Sequence, residues 1–168
     1  YLANQFDPKN PRRHPKCDGV NPCNEVPLEN GELCNVPDVF WVNCPTLKIL
    51  LKACKYASLY GSVVTLIPTF DKRSQDVIDA NHRIGVCLHS LFVKRESESL
   101  QRMTEIMDKC YELIKETTDT YVYERTGIYC IAHTSIKPGG KTPRIAGAVP
   151  GLNALFENRF VEFRMSIE

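Results

Sequence analysis

Residues 21–28 read Asn-Pro-Cys-Asn-Glu-Val-Pro-Leu, and this stretch decides how the whole chain is interpreted. Side chains alternate sides along an extended segment, so Asn21, Cys23 and Glu25 are expected to project to one side. Pro22 lacks an N–H and favours an extended conformation at the residue before it. A thiol, a carboxylate and an amide held side by side suit redox chemistry on a polar substrate better than packing in a core.

A second cysteine, Cys34, follows a strong turn signal. Asn30 and Gly31 tolerate the positive φ angles of a type I′ turn, which predicts a two-residue hairpin loop. In that register Cys34 faces Pro27 and shares its side of the ladder with Cys23. A straight strand would still put Cys23 about 13 Å from Pro27. The chain before position 25 is therefore expected to leave the ladder as a loop.

The composition indicates one domain with a sizeable core, since the chain has 168 residues and 43% of them are hydrophobic. The net charge is +1 with both signs mixed, which argues against a nucleic-acid or membrane partner. No apolar run approaches the ~20 residues of a membrane span. There is no signal peptide, and the chain starts at Tyr1 rather than Met, so it is expected to be a piece of something longer.

The eight cysteines favour a reducing, cytoplasmic setting over a disulfide scaffold. Several of them stand in apolar periodic segments, where cysteine acts as a small hydrophobe, and a chain of this length does not depend on disulfides. Without a Cys-x-x-Cys pair no metal site is predicted. The histidines at positions 14, 89 and 133 show no ligand-like spacing and receive no role. The cysteines expected in the core are Cys44, Cys54, Cys87, Cys110 and Cys130.

Helical and strand-like segments alternate along the chain, which predicts an α/β fold. Residues 1–20 are expected to form a surface segment, and Gly85 within a strand predicts the close approach of another backbone or a ligand. The predicted elements are a helix over 46–60 that begins at the Thr46 cap and ends at Gly61, a buried strand over 62–67, a short helix over 74–81, a strand over 83–88, a helix over 97–116, a strand over 129–136, a loop over 137–141 and a strand over 158–167.

Four segments, taken in order, resemble the catalytic domain of ribonucleotide reductases, and most closely the adenosylcobalamin-dependent (class II) branch. The first runs from Asn21 through Val36 and resembles the family's cysteine finger loop and the redox cysteine after it. The other three are Val64-Thr65-Leu66-Ile67-Pro68-Thr69, Asn81-His82-Arg83-Ile84-Gly85-Val86-Cys87-Leu88, and Ser135-Ile136-Lys137-Pro138-Gly139-Gly140 followed by Ala146-Gly147-Ala148-Val149-Pro150-Gly151.

The resemblance implies a ten-stranded α/β barrel made of two half-barrels, with the cysteine loop at its centre. This chain would be a partial catalytic barrel domain over 1–168, mostly the second half. Its parts would be the surface segment 1–20, the finger loop and hairpin 21–36, and half-barrel elements over 46–168. A protein radical must be shielded from water, so Cys23 is expected to lie in a cleft.

The resemblance also implies roles for four residues. Cys23 would carry the thiyl radical that removes the ribose 3′ hydrogen, and Glu25 would accept the proton of the 3′-hydroxyl. Asn21 would bind substrate hydroxyls, and Cys34 would be one half of the dithiol that reduces the 2′ carbon. The implied cofactor is adenosylcobalamin. The implied partners are a ribonucleotide substrate, the missing remainder of the reductase chain and a thioredoxin-like reductant.

The fourth segment departs from the family pattern. Gly139 stands where the family has Ser and Lys141 where it has Thr, so substrate phosphate would be bound by the N–H groups of Gly139 and Gly140 and the charge of Lys141. The partner of Cys34 belongs to an N-terminal strand that this sequence lacks, so the chain alone should not turn over. Two alternatives are a non-catalytic nucleotide-binding relative and a small cysteine-rich module whose thiols bind metal.

Overall fold

A computed structural model describes residues 17–153, except for the side chains at positions 95 and 96. The predicted strand over 158–167 and most of the predicted surface segment over 1–20 lie outside that range. The described elements are β1 (Gly19–Val20), β2 (Pro27–Leu28), β3 (Asp38–Phe40), a 3₁₀ turn (Trp41–Asn43), α1 (Leu47–Val64), α2 (Lys72–Asn81), β4 (Cys87–His89), α3 (Leu91–Ser97), α4 (Leu100–Thr126) and α5 (Thr142–Ile145).

The centre of the fold is a parallel layer, which confirms the mixed α/β class. β3 pairs with β4 in parallel, with Asp38 opposite Cys87 and Phe40 opposite His89. On the other side of β4, Val86 forms a parallel bridge with Thr134. Residues 84–89 therefore lie between the segment that contains β3 and the segment over 132–135. Helices α1 and α2 connect β3 to β4, and helices α3 and α4 connect β4 to the segment that contains Thr134. The parallel layer therefore has two successive crossover connections.

Helices α1 and α4 pack against each other and cover this layer. The shared core contains Leu50 and Cys54 from α1 and Ile106, Cys110 and Ile114 from α4. All five cysteines expected in the core are buried, as predicted. Within the described part of the chain, no helix combines the length and apolarity that a membrane span requires.

Helix α1 begins at the predicted cap, because the Thr46 hydroxyl accepts from the Ile49 N–H. It does not end at Gly61 but continues to Val64, so the strand predicted over 62–67 is wrong. A Cβ at Gly61 would lie 2.8 Å from Ile84 Cγ2, so glycine at this position permits close packing rather than a helix end. The buried Ser62 hydroxyl donates to the Ser58 carbonyl one turn back. Tertiary packing outweighs the β-branched pattern of this run.

Helix α4 is capped by Ser99, whose side chain accepts from the Arg102 N–H. It ends at Gly127, which has a φ of +73°. Its last ten residues lie beyond the predicted end, in a stretch whose threonines, valine and tyrosines have modest helix propensity. Thr118 and Val122 are fully buried, so packing holds this part of the helix.

The Asn30-Gly31 turn forms, but not the hairpin predicted from it. The Glu32 N–H donates to the Glu29 carbonyl at 2.9 Å. In the described residues only Gly31 of the two central positions has a positive φ, whereas a type I′ turn needs both. β2 pairs instead with β1, and the chain after the turn runs on to β3 without a ladder.

The remaining strand predictions hold in part. β4 covers 87–89 rather than 83–88, and the segment over 129–136 contributes one bridge at Thr134 rather than a strand. The predicted close approach at Gly85 is confirmed, because its N–H donates to the Asn35 carbonyl at 2.9 Å and a Cβ there would lie 3.0 Å from Ser135 Cβ.

Candidate active site

The residues from Asn21 to Val26 form a tight loop between β1 and β2, and one side chain holds it together. The Asn21 Oδ1 accepts from the N–H groups of Glu25 at 3.1 Å and Val26 at 3.0 Å. The Asn21 backbone N–H donates to the Val26 carbonyl at 3.1 Å. Asn24, with a φ of +65°, completes the reversal. The chain thus leaves the ladder before position 25, as expected.

The same Asn21 side chain connects the loop to Cys34. Its Nδ2 donates to the Cys34 sulfur at 3.4 Å, so the two ends of one buried amide serve two segments. The predicted hairpin is not needed to bring Cys34 to this site. The turn over 29–32 returns the chain to the loop, and Asn21 makes the contact.

Glu25 has an unsatisfied carboxylate oxygen at this site. Its backbone carbonyl accepts from the Ser135 hydroxyl at 3.1 Å, which ties the loop to the parallel layer. Its Oε2 is buried and accepts no hydrogen bond from any described residue. A buried carboxylate oxygen without a donor costs about 1–3 kcal/mol or more. Such a group marks a place where another molecule or another part of a larger protein can donate.

Cys34 responds electrostatically to its neighbours in the loop. The residue as a whole is exposed, but partial burial of its sulfur raises the pKa of the thiol, and the negative charge of Glu25 raises it further. The hydrogen bond from Asn21 and the charge of Lys137 act in the opposite direction without reversing the shift. The interaction of Cys23 with Cys34 adds a smaller upward contribution. Asn21, Cys23 and Glu25 therefore all affect the pKa of Cys34, the fourth predicted site residue.

Cys23 is exposed, so the cleft expected around it is not formed by residues 17–153. The segment expected to be extended is a turn instead, so strand alternation does not apply to it. Asn21 is buried whereas Cys23 and the residues on either side of it are exposed, so the expectation that Asn21 and Cys23 project to one side is wrong. Any shelter for this sulfur must come from a second surface placed over the loop.

A buried polar network that sequence reasoning missed lies beside this site. The Lys137 ammonium donates to the Val36 carbonyl at 2.9 Å and pairs with the Asp38 carboxylate at 2.8 Å. His89 Nε2 lies 2.8 Å from the same carboxylate, and its Nδ1 accepts from the Gly151 N–H. Burial alone would raise the pKa of Asp38, but the hydrogen bonds from His89 and Lys137 outweigh it and lower the pKa. No local sequence pattern joins these residues, because they meet only across the parallel layer.

The residues expected to bind phosphate form a turn next to this network. Gly139 and Gly140 have φ values of +81° and +53°. A Cβ at Gly139 would lie 2.6 Å from Pro143 and 2.8 Å from His89, so only glycine fits there. Lys141 is exposed at the start of α5. The loop is therefore present as predicted, and Lys137 connects it to the surroundings of Cys34.

A prediction about Cys34 follows from its charged neighbour. Glu25→Gln removes a negative charge and is expected to lower the pKa of the Cys34 thiol. A larger thiolate fraction then makes alkylation by iodoacetamide faster. The rate is measured by peptide mass spectrometry in a Cys23→Ser background over a series of pH values. Glu112→Gln, an exposed change on α4, should leave the rate unaltered. An unchanged Cys34 rate in Glu25→Gln would contradict the electrostatic contact.

Comparison with known proteins points to one family. No protein-family model matches the chain. A probable adenosylcobalamin-dependent ribonucleoside-triphosphate reductase from Dictyostelium discoideum is 33% identical over 135 residues, which are 80% of this chain and 18% of the relative. The corresponding reductase from Euglena gracilis is 30% identical over 136 residues, with the same shares. A crystal structure of a B12-dependent (class II) ribonucleotide reductase matches 81% of this chain and 23% of its own, with a TM-score of 0.69 and 24% identity.

Fold and site together define a parallel α/β unit that presents two thiols and a buried carboxylate on one loop-and-turn arrangement. By sequence, the chain is a homologue of the adenosylcobalamin-dependent ribonucleotide reductases over about 80% of its length. It spans about a fifth of the length of the curated relatives it matches.

Proposed function

We propose that this chain is a segment of the catalytic domain of an adenosylcobalamin-dependent ribonucleoside-triphosphate reductase, completed by the remainder of that enzyme. The observation that supports this most strongly is the buried Oε2 of Glu25, which lacks a donor while Asn21 and Cys34 are hydrogen-bonded beside it. A ribose hydroxyl is the kind of donor that such an oxygen can accept from. In the complete enzyme the parallel segments would belong to a ten-stranded barrel, with residues 21–26 as its finger loop.

In this proposal each site residue has one task. Cys23, as a thiyl radical, removes the 3′ hydrogen of the ribonucleotide, and Glu25 accepts the 3′-hydroxyl proton. Asn21 keeps the loop in shape through its internal hydrogen bonds, and its Nδ2, which donates to Cys34 in this chain, would turn to the substrate hydroxyls. Cys34 and a thiol from outside this chain supply two electrons and become a disulfide as the 2′-hydroxyl leaves as water. The raised pKa of Cys34 suits this step, because the thiol must keep its hydrogen until it is needed.

The cofactor is not assigned to this segment. Pockets for drug-sized ligands hold roughly 300–1,000 Å³, and a cobalamin is larger than such ligands. A groove of about 380 Å³ between α4 and residues 134–136 is lined mostly by apolar side chains. This groove therefore does not fit a cobalamin, and we propose that the cofactor binds in the remainder of the reductase.

The glycine turn is the proposed site for the substrate phosphates. Backbone N–H groups of Gly139 and Gly140 would bind phosphate oxygens, and the exposed ammonium of Lys141 would add charge. The Lys137–Asp38–His89 network supports this by holding the turn against the parallel layer. A thioredoxin-like reductant would restore the dithiol, and a cytoplasmic location is proposed with it. Neither a nucleic acid nor a membrane is part of this proposal.

Glu25→Gln tests the proposal in a reductase made from this chain and the missing remainder. Ribonucleoside triphosphate reduction should depend on added adenosylcobalamin, and the substitution should lower kcat by about a hundredfold or more, because the proton acceptor is lost. Glu112→Gln should keep the full rate. Binding of nucleoside triphosphate without turnover by the unsubstituted, completed protein would favour the non-catalytic relative, which the changed residues at 139 and 141 also motivate.

A further inference from the structure

Two clusters of the same composition lie in the described part of the chain. Each has an aspartate, a cysteine and a histidine whose ligand-type atoms lie within 4.8 Å of one another. The first cluster is Asp38, Cys87 and His89, and the second is Asp119, Cys130 and His133. The two clusters differ in the groups that hydrogen-bond to their ligand-type atoms.

The first cluster is closed by protein donors. The Lys137 ammonium pairs with Asp38 at 2.8 Å, and the Lys137 backbone N–H donates to the Cys87 sulfur at 3.3 Å. The Gly151 N–H donates to His89 Nδ1 at 2.8 Å. A cation placed there would meet an ammonium group and would have to displace these bonds. This cluster is therefore a polar network of the fold.

The second cluster holds its histidine in the form that binds metals. The buried Thr118 hydroxyl donates to the Ile114 carbonyl at 2.9 Å, so its oxygen accepts from His133 Nδ1 at 2.8 Å. With the proton on Nδ1, the lone pair of the neutral ring is on Nε2. A histidine whose far nitrogen donates to a neighbouring oxygen is the usual arrangement around a bound metal.

The distance from that lone pair to the carboxylate also fits a shared ion. His133 Nε2 lies 3.7 Å from Asp119 Oδ1, which is too long for a hydrogen bond. Two ligands of one tetrahedral zinc ion, each at about 2.0–2.1 Å from it, lie roughly 3.4 Å apart. Cys130 supplies the third ligand atom within the same cluster. All three side chains are buried, with residue exposures of 9%, 3% and 4% for Asp119, Cys130 and His133.

We propose that Asp119, Cys130 and His133 bind a zinc ion, with water in the fourth position. A thiolate, an imidazole and a carboxylate together match zinc better than magnesium or calcium, which prefer oxygen ligands alone. The ion would join α4 to the segment over 130–133, whose backbone donates and accepts hydrogen bonds along residues 81–86. It would thereby fix the segment that carries Ser135 and Lys137. This site does not depend on the proposed reductase activity.

The test uses the full 168-residue chain, without a metal-binding tag, in a Cys23→Ser/Cys34→Ser background that removes the exposed thiols at the candidate active site. One equivalent of zinc is added, and the unbound ion is then removed by dialysis. Elemental analysis of the dialysed protein is expected to find about one zinc ion per chain. Substitution with cobalt is expected to give intense visible bands and a thiolate-to-cobalt charge-transfer band. Cys130→Ser should remove the charge-transfer band, and His133→Gln should lower zinc binding at least tenfold.

The other cluster provides matched controls, because Cys87→Ser and His89→Gln change the same residue types in a site closed by Lys137. Both variants should keep the zinc ion and the charge-transfer band. Circular dichroism reports whether each variant folds. Zinc binding by the background chain, which keeps Asp119, Cys130 and His133, tests the site even if one of the cluster variants fails to fold. If that chain binds no zinc, shows no thiolate band with cobalt, or keeps the band in folded Cys130→Ser, the site is refuted.

Discussion

Replacing Cys23 by Ser is expected to abolish ribonucleotide reduction in the completed enzyme. An O–H bond is too strong for serine to carry the radical, while the loop geometry should survive because Asn21, not Cys23, makes its internal hydrogen bonds. We expect a loss of at least about a thousandfold, which corresponds to roughly 4 kcal/mol of transition-state stabilisation. The rate is measured as deoxynucleotide formed per enzyme with saturating cofactor and reductant.

A matched control comes from the neighbouring position in the same loop. Asn24 is exposed and has a φ of +65°, so Asn24→Gly keeps the turn and should retain activity. Substrate binding by Cys23→Ser should also be unchanged, since the thiol contributes little to affinity. Substantial turnover by Cys23→Ser would refute the radical role, whatever the other site residues do.

Arg83→Met is expected to destabilise the chain by about 3–5 kcal/mol, the usual cost of breaking a buried ion pair from one side. The Arg83 Nε donates to Glu32 Oε1 at 2.9 Å, and the two side chains are 10% and 2% exposed. The same oxygen accepts from Asn81 Nδ2 at 3.0 Å. Loss of the guanidinium leaves a buried carboxylate without its counter-charge. Urea unfolding followed by circular dichroism measures the change in free energy.

Two further variants separate the buried pair from charge effects in general. Arg83→Met/Glu32→Gln removes both charges and should recover part of the lost stability, with a coupling free energy visible in the double-mutant cycle. Lys72→Met breaks an exposed pair with Asp76 on α2 and should change stability little. Equal effects of Arg83→Met and Lys72→Met would contradict the importance of the buried pair.

The buried pair also explains why the turn at Asn30-Gly31 differs from its prediction. Glu32 accepts from the Glu29 N–H through Oε2 while Oε1 accepts from Arg83, which lies just after α2. These bonds draw the chain after the turn towards α2 and away from β2. The hairpin signal is local, whereas Asn81 and Arg83, which donate to Glu32 Oε1, lie about fifty residues away in the sequence. No local pattern contains them.

The helices show the same division. The Thr46 cap is a local feature, and the structure confirms it. The helix predicted from position 97 begins later, at Leu100, after the Ser99 cap. The end of α1 is not local, because Gly61 is packed against Ile84 and Pro37 and the helix continues past it. A glycine stops a helix when its backbone is free to turn, but here close packing leaves no such freedom.

Within the candidate site, Asn21, Cys23, Glu25 and Cys34 were all identified from the sequence, since their residue types and spacing carry chemistry. Their catalytic roles stay predictions. Ser135, Asp38, His89 and Lys137 could not be assigned a place beside them, because they come from three segments of the parallel layer. The exposure of Cys23 could not be predicted from the sequence either, because it depends on which other residues cover the loop.

By itself, the sequence determined the α/β class, the start of α1, the buried cysteines and the set of chemically active residues near position 21. These follow from periodicity, capping and residue type, which act over a few neighbouring positions. Only the tertiary structure decided how far each helix runs, which strands pair and which side chains meet at Glu25, Asp38 and Asp119. Those outcomes depend on burial and hydrogen bonds between segments far apart in the chain, and such contacts exist only after the chain has folded.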